Sequence, residues 1–272
     1  MTVQQPAEWN ASVYHQVSKP HVTWGRTVLS DLTLRGDETA IDAGCGSGRL
    51  TSELLELLPD GHVIAIDRSA NMLAEARVNL ARFADRVTIV QADIGNLTLA
   101  DVGDPVDLIF STATFHWIED HNALFRGLFR VLKPGGLLSA QCGGGPNLET
   151  LLARAEEKMR SPELAEYFDG WKCPWEFADD VTTANRLQDA GFTNITTWLY
   201  EAPTPMADAE AYRTFLSNVI LGEHLIRLPE EERGPFVDFL VDGAATEDPP
   251  YVFDYWRLNM RASLPLNSRG PE

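Results

Sequence analysis

The sequence predicts a doubly wound α/β fold, and three observations predict it. Short apolar, strand-like runs alternate with segments of helical apolar period; a glycine turn, Gly44, Gly46 and Gly48, directly follows the first such run; and three strand-like runs carry an aspartate at their ends, Asp42, Asp67 and Asp93. Alternation of this kind builds a mostly parallel sheet with helices on both faces. Ligands in such sheets lie at the carboxyl ends of the strands.

The elements follow in order. Thr39 to Ala43 is the first strand, and beyond the glycine turn Leu50, Leu54, Leu57 and Leu58 share one face of a helix. Pro59, Asp60 and Gly61 stop it. His62 to Asp67 is a second, buried strand, and Ser69 is placed to cap a helix with Met72, Leu73, Ala76 and Leu80 inside. Val87 to Ala92, Val106 to Phe110 and Leu137 to Gln141 are further strands; Leu124, Phe125, Leu128, Phe129 and Leu132 mark a helix ending at residues 133–136, KPGG. Residues 146–178 read as a helix and an aromatic loop, WKCPWEF at 171–177; Asp180 caps a helix through Ala190, and Asn194 to Tyr200 is a sixth strand. Positions 203–246 are mostly helical, and Tyr251 to Met260 is an antiparallel strand beside the sixth.

Composition narrows the function. A chain of 272 residues with 44% apolar content buries one substantial core. A net charge of -18 repels a nucleic-acid backbone, and no compact basic cluster offsets it, so nucleic acid is not expected as a partner. No segment approaches the roughly 18 apolar residues of a membrane span, and the start, MTVQQPAEWN, has no leader pattern, so a cytoplasmic protein without a membrane partner is expected. Cys45, Cys142 and Cys173 are odd in number and far apart, which suggests neither a disulfide framework nor a metal site.

The glycine spacing tests the ligand. A dinucleotide fingerprint, G-x-G-x-x-G, would require a third small residue where Arg49 stands, and no Gly-Lys-Ser/Thr follows for a phosphate loop. Three carboxylates on one edge suit instead a ligand with a positive centre, a ribose and an exocyclic amine. Asp67 is placed for the ribose hydroxyls, and Asp93 for an adenine amino group. At residues 35–145 the chain resembles the class I S-adenosylmethionine-dependent methyltransferases, whose four motifs occur in order at the expected strand ends. The resemblance implies S-adenosyl-L-methionine as cofactor, S-adenosyl-L-homocysteine as product, and a seven-stranded sheet of order 3-2-1-4-5-7-6 with the last strand antiparallel. It implies that Asp42, Gly44, Cys45, Gly46 and Gly48 lie against the methionine part and that Asp67 binds the ribose. Met72 packs on the adenine, Asp93 and the Ile94 backbone read its edge, and Arg68, Ala92 and Ser111 complete the cofactor-binding set.

The flanks carry a closer resemblance. WNASVY at 9–14, ATFHWIEDH at 113–121 and a helical insertion before the last strand look like the trans-aconitate methyltransferases and the related juvenile-hormone-acid and malonyl-carrier-protein methyltransferases, which methylate carboxylates. The resemblance implies a helical cap at 1–30, a Rossmann-like cofactor core at 31–145, helices and strand six at 146–202, a lid at 203–246, and strand seven with a tail at 247–272. Tyr14 and His21 would then face the substrate, with Phe115, His116 and Trp117 bordering a small-molecule acceptor. Lys19 and His21 stand in VSKPHVTWG where the aconitate enzymes have arginines, which points away from a polyanionic acceptor. Trp9, Tyr14, Trp24, Trp117, Trp171 and Trp175 point to a partly apolar one.

The expected reaction is O-methylation, in the first place at a carboxylate. A carboxylate is ionised at neutral pH and needs no base, whereas a hydroxyl does, with His116 the candidate catalytic group. His15 belongs with His21 in the N-terminal segment; His62 and His121 read as structural, and His224 as exposed on the lid. Two other classes stand beside this reading: a catalytically silent cofactor-binding protein, and a nicotinamide dehydrogenase, which Arg49 and the acidic strand ends disfavour.

Overall fold

The computed structural model describes residues 19–267. Trp9, Tyr14 and His15 lie outside the described residues, as does the side chain of His21. In chain order the first elements are α1 (Lys19–Ser30), β1 (Thr39–Ala43), α2 (Arg49–Leu57), β2 (His62–Asp67), α3 (Ala70–Asn79) and β3 (Val87–Gln91). There follow α4 (Leu99–Val102), β4 (Val106–Thr112), α5 (His121–Val131), β5 (Leu132–Gly143), α6 (Glu149–Met159), α7 (Asp180–Asp189) and β6 (Thr193–Glu201). The last are β7 (Thr204–Pro205), α8 (Ala209–Phe215), α9 (Gly222–Leu225), α10 (Glu230–Ala245), β8 (Val252–Phe253) and β9 (Trp256–Ser263).

Two compact units share these elements. The larger contains residues 19–145, 175–200 and those from Arg257 onward. Its sheet has the order β3-β2-β1-β4-β5-β9-β6, which is the expected order with β9 as strand seven. The pairs β1–β2, β1–β4, β2–β3 and β4–β5 are parallel, and β5–β9 is antiparallel. Both faces are covered, which is why the central strands read as continuous apolar runs. On one face Ile41, Ile66 and Ile109 pack with Leu124, Phe125 and Leu128; on the other Ala40, Ala65 and Phe110 pack with Leu54, Leu55, Leu58 and Leu73.

Several boundaries differ from the sequence reading. The last strand begins at Trp256 rather than Tyr251, because Val252 and Phe253 pair with Pro205 and Thr204 in a separate ladder and Tyr251 turns the chain at a φ of 56°. β5 begins at Leu132 and takes in the KPGG segment, whose Gly135 N–H donates to the Leu264 carbonyl while the Leu264 N–H donates to that of Gly136. The cap of α7 is Asp179, whose carboxylate accepts the Thr182 N–H at 2.6 Å, and Asp180 is the first helical residue. Leu57 is 46% exposed, and Leu55 takes the buried place on α2 assigned to it. Ser69 caps α3 as expected, accepting the Met72 N–H.

The smaller unit contains residues 146–174 and 201–256. Tyr212 stacks on Phe253 with ring centroids 4.1 Å apart, and Arg154 of α6 pairs with Glu247 at 2.6 Å. Gly243 makes that pair possible, since a Cβ there would lie 2.2 Å from Arg154 Nε. His224 corrects the expectation of a surface residue: it is 1% exposed, its ring 4.6 Å from that of Trp171. α9 is a single turn packed between aromatic rings, so it has no solvent face at His224, and burial pushes that imidazole down to about 4. Among the described residues no helix is long and apolar enough to cross a membrane, and no group of three or more His, Cys, Asp or Glu could hold a metal ion.

Candidate functional site

The glycine turn is tied to β2 by two hydrogen bonds, from the N–H groups of Gly44 and Cys45 to the Ile66 carbonyl at 2.8 and 2.9 Å. All three glycines have left-handed φ, 84°, 53° and 77°, which side-chain-bearing residues adopt only with strain. Their surroundings separate their tasks. A Cβ on Gly44 would lie 2.2 Å from the Thr114 side chain, and one on Gly48 would lie 2.9 Å from Leu80, so these two serve close packing. A Cβ on Gly46 would meet none of the described residues within 4 Å. Among the described residues, Gly46 is therefore where the turn presents bare backbone to open space.

Two carboxylates lie beneath the turn. Asp67 joins it to the start of α3: Oδ2 accepts the Gly46 N–H and Oδ1 accepts the Ser69 N–H, each at 2.9 Å. Asp42 is 2% exposed and accepts the Thr51 hydroxyl at 2.6 Å. Burial raises the Asp67 carboxyl above its ordinary value. Burial, reinforced by the charge of Asp67, pushes Asp42 up to about 7. A site in which two acids resist ionisation is complementary to a ligand that brings positive charge. This pair of acceptor carboxylates thus fits a sulfonium amino acid with a ribose.

The other expected cofactor contacts fall into three groups. Met72 and Ile94 are buried, at 4% and 5% exposure, behind the ends of β2 and β3. Asp93 and Arg68 are exposed; Asp93 accepts the Gly95 N–H at 3.0 Å and the Asn96 amide at 2.9 Å, and the Ala92 N–H donates to the Asp67 carbonyl. Ser111 and Cys45 are inward-turned. The Ser111 hydroxyl donates to the Ala43 carbonyl at 2.6 Å and ties β4 to β1, while the Cys45 thiol is buried and pushed well above its ordinary value.

The segment after β4 is divided in the same way. Phe115, expected to border an acceptor, is 1% exposed and packs edge-on against Phe125 in the core. His116 and Trp117 lie with Trp175 and Phe177 in an aromatic group, with His116–Phe177 centroids 5.8 Å and Trp117–Trp175 centroids 5.5 Å apart. His116 Nδ1 accepts the Gly143 N–H at 3.3 Å, so the neutral ring carries its proton on Nε2. Trp171 belongs to the smaller unit.

Arg257 is the residue the sequence reading missed. It stands opposite Gly143 in the β5–β9 pairing and is 2% exposed. Its guanidinium lies 4.4 Å from the Trp24 ring of α1, and its Nε donates to Gln141 Oε1 at 3.4 Å. The Gln141 amide in turn donates to Asn259 Oδ1 at 2.8 Å and to the Tyr200 hydroxyl at 3.3 Å. The available signal was the alternation Arg257, Asn259, Arg261 within an apolar strand, which marks a polar line on one sheet face.

A family model described as a methyltransferase domain matches residues 34–197. Trans-aconitate 2-methyltransferase of Rhizobium etli is 30% identical over 233 residues, covering 85% of this chain and 88% of the relative. The enzyme of that name from Rhizobium leguminosarum bv. trifolii is 28% identical over 240 residues, covering 85% and 88%. Among solved structures, a Haemonchus contortus phosphoethanolamine N-methyltransferase in complex with phosphomonomethylethanolamine and S-adenosylhomocysteine superposes with a TM-score of 0.59 at 17% identity, covering 94% of this chain and 57% of that one. The YcgJ protein of Bacillus subtilis gives 0.59 at 17% identity, covering 90% and 99%.

Proposed function

Because the chain belongs to the methyltransferase-domain family and is an S-adenosylmethionine-dependent methyltransferase, we propose that it methylates a carboxylate of a small, partly apolar acid. The observation that carries this reading is Arg257, the only arginine or lysine among the buried described residues. A guanidinium matches the two oxygens of a carboxylate. Buried, it is retained only where hydrogen bonds or an anion compensate it, and an acceptor carboxylate would be such an anion. Trp117, Trp175 and Phe177 support the apolar part of the acceptor.

When bound, the cofactor supplies an electrophilic methyl group. Asp42, the backbone at Gly46, Asp67, Met72 and Asp93 with the Ile94 backbone would hold it, and the chain's own contribution is orientation of the acceptor. A carboxylate is already ionised, so no side chain has to take a proton from it. With Nδ1 accepting the Gly143 N–H and the proton on Nε2, the neutral His116 ring has its lone pair engaged and is poorly placed to act as a base, which supports an anionic acceptor over a hydroxyl that needs one. The free thiols of Cys45 and Cys142 suit a reducing, cytoplasmic setting.

Labelled-methyl transfer to trans-aconitate, trans-cinnamate and p-cresol tests the acceptor class. Turnover of an acid is expected, and Arg257→Met should raise its KM about 10- to 100-fold, since a hydrogen bond to a charged group contributes roughly 1.5 to 3 kcal/mol. Arg257→Lys should lie between, with S-adenosylhomocysteine affinity within about twofold throughout. Methylation of p-cresol alone, indifferent to Arg257→Met, would overturn the carboxylate reading.

Asp42 makes cofactor affinity depend on pH. Its raised pKa, about 7, means the empty site is largely protonated at Asp42 below neutrality, whereas a cationic ligand favours the ionised form. Binding below pH 7 therefore releases a proton, and affinity for S-adenosylmethionine should rise about tenfold between pH 6 and 7.5. Calorimetry in two buffers of different ionisation enthalpy measures that proton. Asp42→Asn should flatten the profile, and an unchanged slope in that variant would assign the titration elsewhere.

A further inference from the structure

The turn after β4 is held by more than its own backbone. The imidazole of His121, 2% exposed, has Nε2 3.0 Å from the Phe115 carbonyl oxygen and Nδ1 3.2 Å from Arg186 Nη1. A carbonyl only accepts and a guanidinium only donates, so one form alone satisfies both contacts: the neutral ring with its proton on Nε2. Arg186 Nη2 donates to Glu176 Oε1 at 2.9 Å, and the Glu176 N–H donates to the His116 carbonyl at 2.9 Å. His121, Arg186 and Glu176 thereby close a chain of hydrogen bonds that begins on Phe115 and ends on His116. The charged groups facing the imidazole are Arg186 on α7, Glu176 on the loop before it, and Asp120 at the cap of its own helix. The Phe125 ring, 5.7 Å away, packs against it.

We propose that His121 is a positioning residue: as its Nε2–H tautomer it holds the Phe115–Trp117 turn, and with it the ring of His116, and its protonation releases that turn. The proposal rests on reading that turn as the acceptor-side wall of the site. Protonation would add an N–H to Nδ1, pointing it at the Arg186 donors. That contact then loses its acceptor and sets two positive groups against each other. Burial, the largest cause, and the Arg186 charge hold the ring's pKa below the ordinary histidine value, so the turn is fastened at neutral pH and loosens in acid. The sign for stability follows: the folded form binds this proton less readily than the unfolded chain, so the contribution is complete above the unfolded value and is lost as pH falls.

Nitrogen-15 spectra of the full chain, labelled at histidine and saturated with S-adenosylhomocysteine, test this without any acceptor. At pH 7 His121 should show a protonated Nε2 and a bare Nδ1. On acidification it should titrate below the ordinary histidine range, and the Nδ1 signal of His116 should shift with the same midpoint as the Gly143 hydrogen bond is lost. His121→Gln, which keeps a donor near the Nε2 position, should leave the His116 signal in place, whereas His121→Asn, which does not reach Phe115, should shift it. S-adenosylhomocysteine affinity should stay within twofold in both. An Nδ1–H tautomer for His121, or a His116 signal identical in wild type and His121→Asn across the titration, overturns the proposal. Because neither readout uses an acid substrate, failure of the carboxylate assignment would show separately, in the methyl-transfer screen.

Discussion

Asp67→Ala is expected to lower affinity for S-adenosylmethionine by about a thousandfold. Two charge-assisted hydrogen bonds to a ribose, each worth roughly 1.5 to 3 kcal/mol, together account for about 4 kcal/mol, and each 1.4 kcal/mol is a factor of ten. The same carboxylate also accepts the N–H groups of Gly46 and Ser69. Its loss therefore also loosens the turn at 44–48, and removes a negative charge that a cationic cofactor would pair with. Asp67→Asn keeps one acceptor oxygen and turns an amide donor toward one of those N–H groups, so it should retain part of the fold's stability but little of the affinity. Titration calorimetry with thermal unfolding of each variant separates the two losses. An affinity within threefold of wild type in Asp67→Ala would remove Asp67 from the ribose site.

Gly44→Ala should destabilise the protein by about 3 kcal/mol. The left-handed φ of 84° costs a side chain roughly 1 to 2 kcal/mol, and overlap with the Thr114 methyl and hydroxyl, each 2.2 Å from the new carbon, adds roughly 1 to 3 more. Thr114→Gly in the same chain should recover the overlap and leave the backbone cost. Gly46→Ala is the control: its φ of 53° carries only the backbone cost, and its Cβ overlaps none of the described residues. That variant should lose only that roughly 1 to 2 kcal/mol, less than Gly44→Ala, but bind S-adenosylmethionine more weakly. Urea denaturation with and without cofactor distinguishes the pair, and equal loss of stability in both would sink the division of labour among the glycines.

Local signals made the first strands, helices and glycine turn of this molecule readable. The turn at 44–48, the cap at Ser69 and the inner face Met72, Leu73, Ala76 and Leu80 are each written in residues a few positions apart, and each is in the structure. The sheet order followed from the family resemblance and matches. What could not be read depends on pairing between distant segments. Arg257 acquires its meaning only when β9 sets it against Gly143, more than a hundred positions earlier in the chain. His224 looked like a surface residue because its burial is supplied by Trp171 and Phe236, which no helical period connects to it. Ser111 at the end of β4 and Phe115 in the tight turn beyond it lie close to His116 in sequence, yet Ser111 is spent on the Ala43 carbonyl and Phe115 packs into the core.

The position of β9 has a consequence for how the molecule assembles. β6 leaves the ribosome well before β9, yet in the finished sheet β9 lies between β6 and β5. β6 therefore has no lateral neighbour until β9 arrives, and the nascent chain can complete the parallel half, with its glycine turn, while the other edge is still open. A chain stopped before Arg257 would keep every residue of the glycine turn, lack the guanidinium, and expose β5 as an unpaired edge for another chain to join.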